Sequence, residues 1–173
     1  MSVLNLVIFP NDILHKSCEK IEVVDDEIKQ LVNDMVETMH HFNGAGLAAP
    51  QVGVQKQVFV MDIPGATSGP MAFINPVILK SGSETITFEE GCLSFPNLFV
   101  EIERPNLITV TAMGLDGVEF TIDIMGVPAI CVQHEIDHLR GKLFTENLSL
   151  LKRTRAMKKF GKLQKEHTNA SKH

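Results

Sequence analysis

The chain has 173 residues, of which 44% are apolar and 21% charged, with a formal net charge of −5. That length and balance suit one soluble domain with a real core, and they argue against a disordered chain or a membrane-spanning protein. Three cysteines, Cys18, Cys92 and Cys131, cannot all pair within the chain and are few for a disulfide scaffold, which favours a reducing compartment.

The opening Met1 to Pro10 is apolar but lacks the basic leading region and cleavage site of a secretory signal, so a cytoplasmic protein is expected. Asn11 to Cys18 reads as a short helix capped by Asn11 or Asp12, whose side chains accept bonds from free amides. From Asp25-Asp26-Glu27 onward, Ile28, Leu31, Val32, Met35, Val36, Met39 and Phe42 recur at helical spacing, which predicts an amphipathic helix ending at Gly44. Between Val58 and Met125 the pattern changes to short β-branched and apolar runs, among them Val58 to Met61, Leu107 to Ala112 and Val118 to Ile124, which read as strands. Pro64 to Pro70 reads as a mobile surface loop. Pro128 and Gly141 bracket a further helix, matching the preference for Pro in a first helical turn and Gly just past the end. A final helix is expected at about 149–165. Helices flanking a strand-rich middle predict an α+β fold in a single domain spanning 1–173. Charge is uneven, since residues 150–173 carry +7 and the remainder −12. The tail reads equally as a solvated helix face or a partner site, and the acidic body argues against wholesale coating by nucleic acid.

The helix between Pro128 and Gly141 contains Gln133-His134-Glu135-Ile136-Asp137-His138-Leu139. Histidines at i and i+4 share one helical face and can converge on one tetrahedral cation, while an intervening glutamate beside them can handle protons. Two histidines leave a metal short of protein ligands. Cys92 is the favoured third, because Gly91 beside it permits unusual backbone geometry. Cys131, three residues before His134, competes less well because Ile130 and Val132 around it suit packing. Gly44-Ala45-Gly46-Leu47-Ala48-Ala49 imitates a dinucleotide-binding fingerprint, with Asp62 as its acidic partner. The context is wrong, since the segment follows a helix and Pro50 disrupts the helix that would receive phosphate. A close backbone approach fits better, with the Gln51 amide free to donate or accept, and an ordinary turn is the plain alternative.

Gly44 to Gln51, Glu90 to Ser94 and Gln133 to Leu139, in this order, resemble the three signature motifs of the peptide deformylases. Those enzymes remove the formyl group from the initiator methionine of nascent proteins. The resemblance implies a compact α+β domain with antiparallel β-sheets around a central metal-binding helix and a C-terminal helix. It implies metal ligands Cys92, His134 and His138, with a fourth position for water whose pKa the cation lowers. It makes Glu135 the group that takes the proton and returns it to the departing amine, and Gln51 with the Leu93 N–H the donors to the developing oxyanion. Gly46 is implied to pair with substrate backbone, and Ala45, Phe88, Val127, Ile130 and Cys131 to form the methionine pocket. The resemblance favours Fe2+ in cells, with Zn2+, Ni2+ and Co2+ as alternative occupants.

Asp137 beside His138 is expected to need a cation, and the resemblance makes Arg104 the candidate. Two departures from the family pattern stand out. Ala45 replaces a larger Ile or Val of many members, which lowers the pocket wall and predicts tolerance of side chains bulkier than methionine. Phe99 stands where some bacterial members carry arginine, so preferences beyond the first substrate residue are open. The basic C-terminal helix, with Lys152, Arg153, Arg155, Lys158, Lys159 and Lys162, resembles a ribosome-docking element of some deformylases. Two rival readings are a metallopeptidase, which usually takes a histidine or acidic third ligand, and a non-catalytic metal protein that docks on the ribosome. Glu135 and Gln51 speak against the second.

Overall fold

The computed structural model describes residues 2–171. Helix α1 covers Asp26–His41, with the Asp25 side chain accepting from the Ile28 N–H at its start. It stops at His41, short of Gly44. Asn43 takes the left-handed conformation (φ 55°), and the Asn43 and Gly44 N–H groups bond the carbonyls of His40 and Met39. Asparagine fills the terminating role usually given to glycine. The short element expected near Asn11 is a single 3₁₀ turn over Asp12–His15, capped by Asn11.

Five antiparallel strands form the main sheet: β1 (Gly46–Ala48), β2 (Val58–Met61), β3 (Met71–Ser81), β6 (Leu107–Met113) and β7 (Glu119–Met125), in the order β1-β2-β3-β6-β7. Strands β4 (Thr85–Cys92) and β5 (Phe95–Pro105) make a separate two-stranded ribbon. Helix α2 spans Val127–Leu139 and helix α3 Leu150–Ala170. Two further 3₁₀ turns lie at Ala49–Val52 and Phe144–Asn147.

Helices cover both faces of the main sheet. Leu47, Val58, Val60 and Ile74 pack with Ile28, Val32, Met35 and Met39 of α1, whereas Ala48, Phe59, Met61 and Phe73 pack with Ala129, Val132, Ile136 and Leu139 of α2. Strand β2 is therefore buried at every position, which explains an apolar run without alternation. A third cluster joins Phe95, Leu98 and Ile102 of β5 to Leu14, Phe144 and Phe160, and so ties α3 to the ribbon.

β3 and β5 each run to 11 residues, longer than the short strands their prolines suggest. Pro76 and Pro96 sit beside positive-φ asparagines, Asn75 and Asn97, at register shifts where a missing N–H removes no ladder bond. The segment between β2 and β3 is a turn-rich connection tied down by Thr67, whose Oγ1 donates to Asp62 and accepts from the Ile63 N–H. Helix α3 outlasts the expected end near 165 because Gln164, Lys165 and Glu166 are good helix formers and no breaker follows them. Gly141 is required past α2: it has φ 73°, and a Cβ there would lie 2.5 Å from the His15 carbonyl oxygen.

Candidate metal centre

His134 and His138 lie on the same face of α2, their ring centroids 5.0 Å apart. Opposite them the β4–β5 ribbon turns over in two residues, Leu93 and Ser94, which places Cys92 at its tip. One donor atom each from Cys92, His134 and His138 all lie within 4.8 Å of one another, and Cys92 Sγ stands 3.3 Å from His138 Nε2. A cation with ordinary tetrahedral bond lengths to sulfur and imidazole would hold those two atoms about 3.6 Å apart. The donor set and its spacing fit a bound divalent metal. Cys131 is not in this group. Burial above all, then the charges of Glu135 and Glu90, push its thiol well above the usual cysteine value, so it behaves as neutral cavity wall.

The imidazole of His134 is aimed from behind. Its Nδ1 donates to Glu90 Oε1 at 2.8 Å, which leaves Nε2 as the lone-pair nitrogen facing the cluster. Glu90 also accepts two bonds from Arg104, at 2.7 Å from Nε and 3.0 Å from Nη2, and Arg104 Nη1 donates to Asp137 Oδ2 at 2.9 Å. One guanidinium thus joins a β4 carboxylate to an α2 carboxylate, and the pairing expected of Arg104 with Asp137 is present. Burial raises the Glu90 carboxyl, but the hydrogen bonds and charges of His134 and Arg104 together outweigh it and hold the group below the usual glutamate value. Gln133 Nε2, donating to the Pro105 carbonyl at 2.9 Å, secures α2 to the end of β5.

Glu135 faces, with His134 and Cys92, a cavity of about 770 Å³. Burial pushes its carboxyl up to about 7, against the opposing charge of His134. The wall opposite is β1. A Cβ on Gly46 would lie 2.6 Å from Glu135 Oε1 and 2.7 Å from Cys131 Sγ, so the close backbone approach expected of this segment is made to Glu135. Gly44 and Gly91 serve similarly: Cβ atoms there would meet the Leu93 side chain at 2.8 Å and the Phe99 ring at 2.6 Å. Gln51 is fixed by the Ala48 N–H, which donates to its Oε1 at 2.9 Å, and its Nε2 then reaches Ser94 Oγ at 3.3 Å and Cys92 Sγ at 3.4 Å. With β1 following α1, and Pro50 in a 3₁₀ turn, the dinucleotide fingerprint has neither its strand before nor its helix after.

Of the residues singled out from sequence, Ala45, Gly46, Gln51, Phe88, Cys92, Leu93, Val127, Ile130, Cys131, His134 and Glu135 all line this one cavity. Of the three expected metal ligands, His138 alone lies behind the lining, buried at 1% exposure. Sequence reasoning missed the bridging part of Glu90 and the contact of Ser94 with Gln51. A signal for Glu90 existed: two residues before Cys92 on a strand, it must emerge on the same face.

The sequence matches a family model described as polypeptide deformylase over residues 3–154. It is 45% identical to a peptide deformylase of Polynucleobacter necessarius over 166 residues, covering 96% of this chain and 97% of that protein. Among solved structures it resembles a peptide deformylase from Legionella pneumophila with TM-score 0.90 at 38% identity, covering 96% of this chain and 98% of the other. It also resembles that of Ehrlichia chaffeensis in complex with actinonin, with TM-score 0.89 at 44% identity, covering 94% and 98%.

Proposed function

The chain belongs to the polypeptide deformylase family, metal-dependent hydrolases that take the N-formyl group off the initiator methionine of nascent polypeptides, and from that premise we propose how its own residues divide the work. The observation that carries the assignment is the convergence of Cys92, His134 and His138 at one wall of a cavity into which Glu135 also faces. Cys92, His134 and His138 would hold the metal, which when bound would supply a Lewis acid that makes water a competent nucleophile near neutral pH.

Glu135 accepts the proton of the attacking water and returns it to the departing amine, one carboxyl acting as base and then acid. Its burial against Gly46 supports that role, because a carboxyl kept from bulk water exchanges its proton with the bound substrate. The Gln51 amide and the Leu93 N–H donate to the oxygen on which negative charge develops. A donor of this kind is worth roughly 3 kcal/mol of barrier. The Gln51 carbonyl is already occupied by Ala48, which fixes the flip of its amide and turns the NH₂ toward Cys92. The Gly46 backbone pairs with the substrate main chain, and Ala45, Phe88, Val127, Ile130 and Cys131 receive the methionine side chain.

Fe2+ is the metal we favour in cells, by likeness to the family, although a mixed thiolate and imidazole set also accepts Zn2+, Ni2+ and Co2+. The three unpaired cysteines support a reducing compartment, read here as the cytoplasm. Lys152, Arg153, Arg155, Lys158, Lys159 and Lys162 are all exposed on α3, which supports contact with ribosomal RNA phosphates.

The deciding experiment measures formate release from formyl-Met-Ala-Ser under anaerobic conditions, comparing Fe2+-loaded wild type with Glu135→Ala at matched metal content. A loss of about a hundred- to ten-thousand-fold in Glu135→Ala is expected of a missing general base. Equal rates from both proteins would remove Glu135 from the chemistry.

A further inference from the structure

Five consecutive residues, Phe42 to Gly46, form one wall of the cavity, and Gly46 in that wall supplies the backbone assigned to the substrate main chain. Strand β1, which begins there, is an edge strand of the main sheet, bonded on one side to β2. The wall has little of its own to hold it. Phe42, Asn43 and Ala45 are exposed, Gly44 and Gly46 carry no side chain, and the turn bonds from Asn43 and Gly44 run back into α1. A segment with so few buried contacts belongs to the loosely held end of a structure unless something outside it ties it down.

That tie is Asp62. It directly follows β2, and its N–H donates to the Ala45 carbonyl at 2.9 Å, which extends the β1–β2 ladder by one bond at the far end of the wall. Its carboxylate reaches the near end, where Oδ2 lies 2.8 Å from Nε2 of His40 in the last turn of α1. A carboxylate only accepts, so Nε2 carries the hydrogen and donates. Oδ1 accepts from Thr67 Oγ1 at 2.9 Å, which fixes the orientation of the carboxylate. One residue thus clamps both ends of the segment, His40 by its side chain and Ala45 by its backbone. The acidic group that makes the glycine-rich stretch imitate a nucleotide site is committed to this clamp. The His40 side chain is 50% exposed and that of Asp62 19%, so solvent weakens the pair without removing it.

We infer that His40 and Asp62 are positioning residues for the deformylation reaction, together holding the β1 edge where Gly46 meets the substrate main chain. The inference rests on the deformylase reading. Both side chains stand outside the cavity lining, so they act through the wall and not on the substrate. Loosening the wall weakens substrate binding and raises KM, while the metal ligands and Glu135 keep their places on other elements.

The test compares wild type with His40→Ala, His40→Gln, Asp62→Ala and the double variant of His40→Ala with Asp62→Ala. Each is loaded to the same metal content and assayed for formate release over a range of formyl-Met-Ala-Ser concentrations. His40→Ala should raise KM about fivefold with kcat within about twofold of wild type, the change that a part-exposed ion pair can transmit. His40→Gln, whose Nε2 can donate to the same oxygen, should bring KM back to within about twofold of wild type. Asp62→Ala should raise KM at least as much as His40→Ala, and the double variant should add nothing to it, because the two residues act through one contact. An unchanged KM in His40→Ala overturns the inference, and so do a fall in kcat at unchanged KM, additive effects in the double variant, or no recovery in His40→Gln. Should Asp62→Ala not fold, the two His40 variants decide by themselves. No formate from metal-loaded wild type would overturn the deformylase reading and this inference with it, whereas an active wild type whose KM every variant shares overturns the inference alone.

Discussion

Helices α2 and α3 follow one another in the chain and are built on opposite principles. Nine of the 13 residues of α2 are buried, including both histidines and Glu135, and its Gln133, His134 and Asp137 side chains are tied to β4 and β5 through the Pro105 carbonyl, Glu90 and Arg104. Only Ala156 and Phe160 are buried among the 21 residues of α3, whose surface is otherwise basic and solvated. Burial on all sides lets α2 hold imidazoles and carboxylates to fixed partners, as a metal centre demands. The single apolar anchor of α3 fixes its position and leaves its charges free for a partner.

The comparison breaks most visibly if α2 is cut loose from its support. Arg104→Ala would leave Glu90, at 4% exposure, without its cation and Asp137 without its partner. Removing one member of a buried charge network typically costs about 3–5 kcal/mol, and weakening the support of a ligating imidazole lowers metal affinity by roughly ten- to a hundredfold. Denaturant unfolding and competitive metal titration should show both losses. Stability and affinity within error of wild type would mean that the network is ornamental.

A smaller effect is expected at the cavity wall facing α2, where Ala45 lines the cleft with little more than a methyl group. Ala45→Ile should leave formyl-Met peptides as the best substrates and reduce kcat/KM for formylated residues bulkier than methionine by about tenfold relative to them. Unchanged relative rates would show that the wall is set by Val127, Ile130 and Cys131 instead.

What could be read from sequence follows the same division. His134, Glu135 and His138 were legible because helical spacing is local: residues four apart must share a face whatever else the chain does. Arg104 with Asp137 was anticipated from the layout of the family that the chain resembles, not from local spacing. Glu90 was overlooked as a bridge because its partners, His134 and Arg104, lie 44 and 14 residues away, and long-range pairing across a ribbon leaves no periodic trace. Strand β2 was legible at both ends, whereas β1 was hidden inside a glycine-rich segment whose three strand residues carry no alternation. β3 and β5 were not among the runs read from sequence, and the bulges that accommodate Pro76 and Pro96 within them depend on asparagines adopting positive φ. The end of α1 shifted for a related reason, with Asn43 taking the turn and Gly44 making room for Leu93.

The smallest change tests α3 alone. Lys158 and Lys159 are exposed and bond no neighbouring side chain among the described residues, so Lys158→Glu with Lys159→Glu should alter stability by only about 0.5 kcal/mol. Formate release from free tripeptides should match wild type, because the α3 anchor at Phe160 packs against β5 on residues other than these. Binding to ribosomes should weaken, and its dependence on salt should flatten, since each cation withdrawn from phosphate releases about one counterion fewer. Co-sedimentation with ribosomes across a salt series reads both quantities. Binding that ignores salt in the wild type, or survives charge reversal, would deprive the basic face of its partner and reduce α3 to a solvated strut. The expected result would instead separate the two helices cleanly: a variant crippled in finding nascent chains on the ribosome would remain fully competent on the same formyl group in solution.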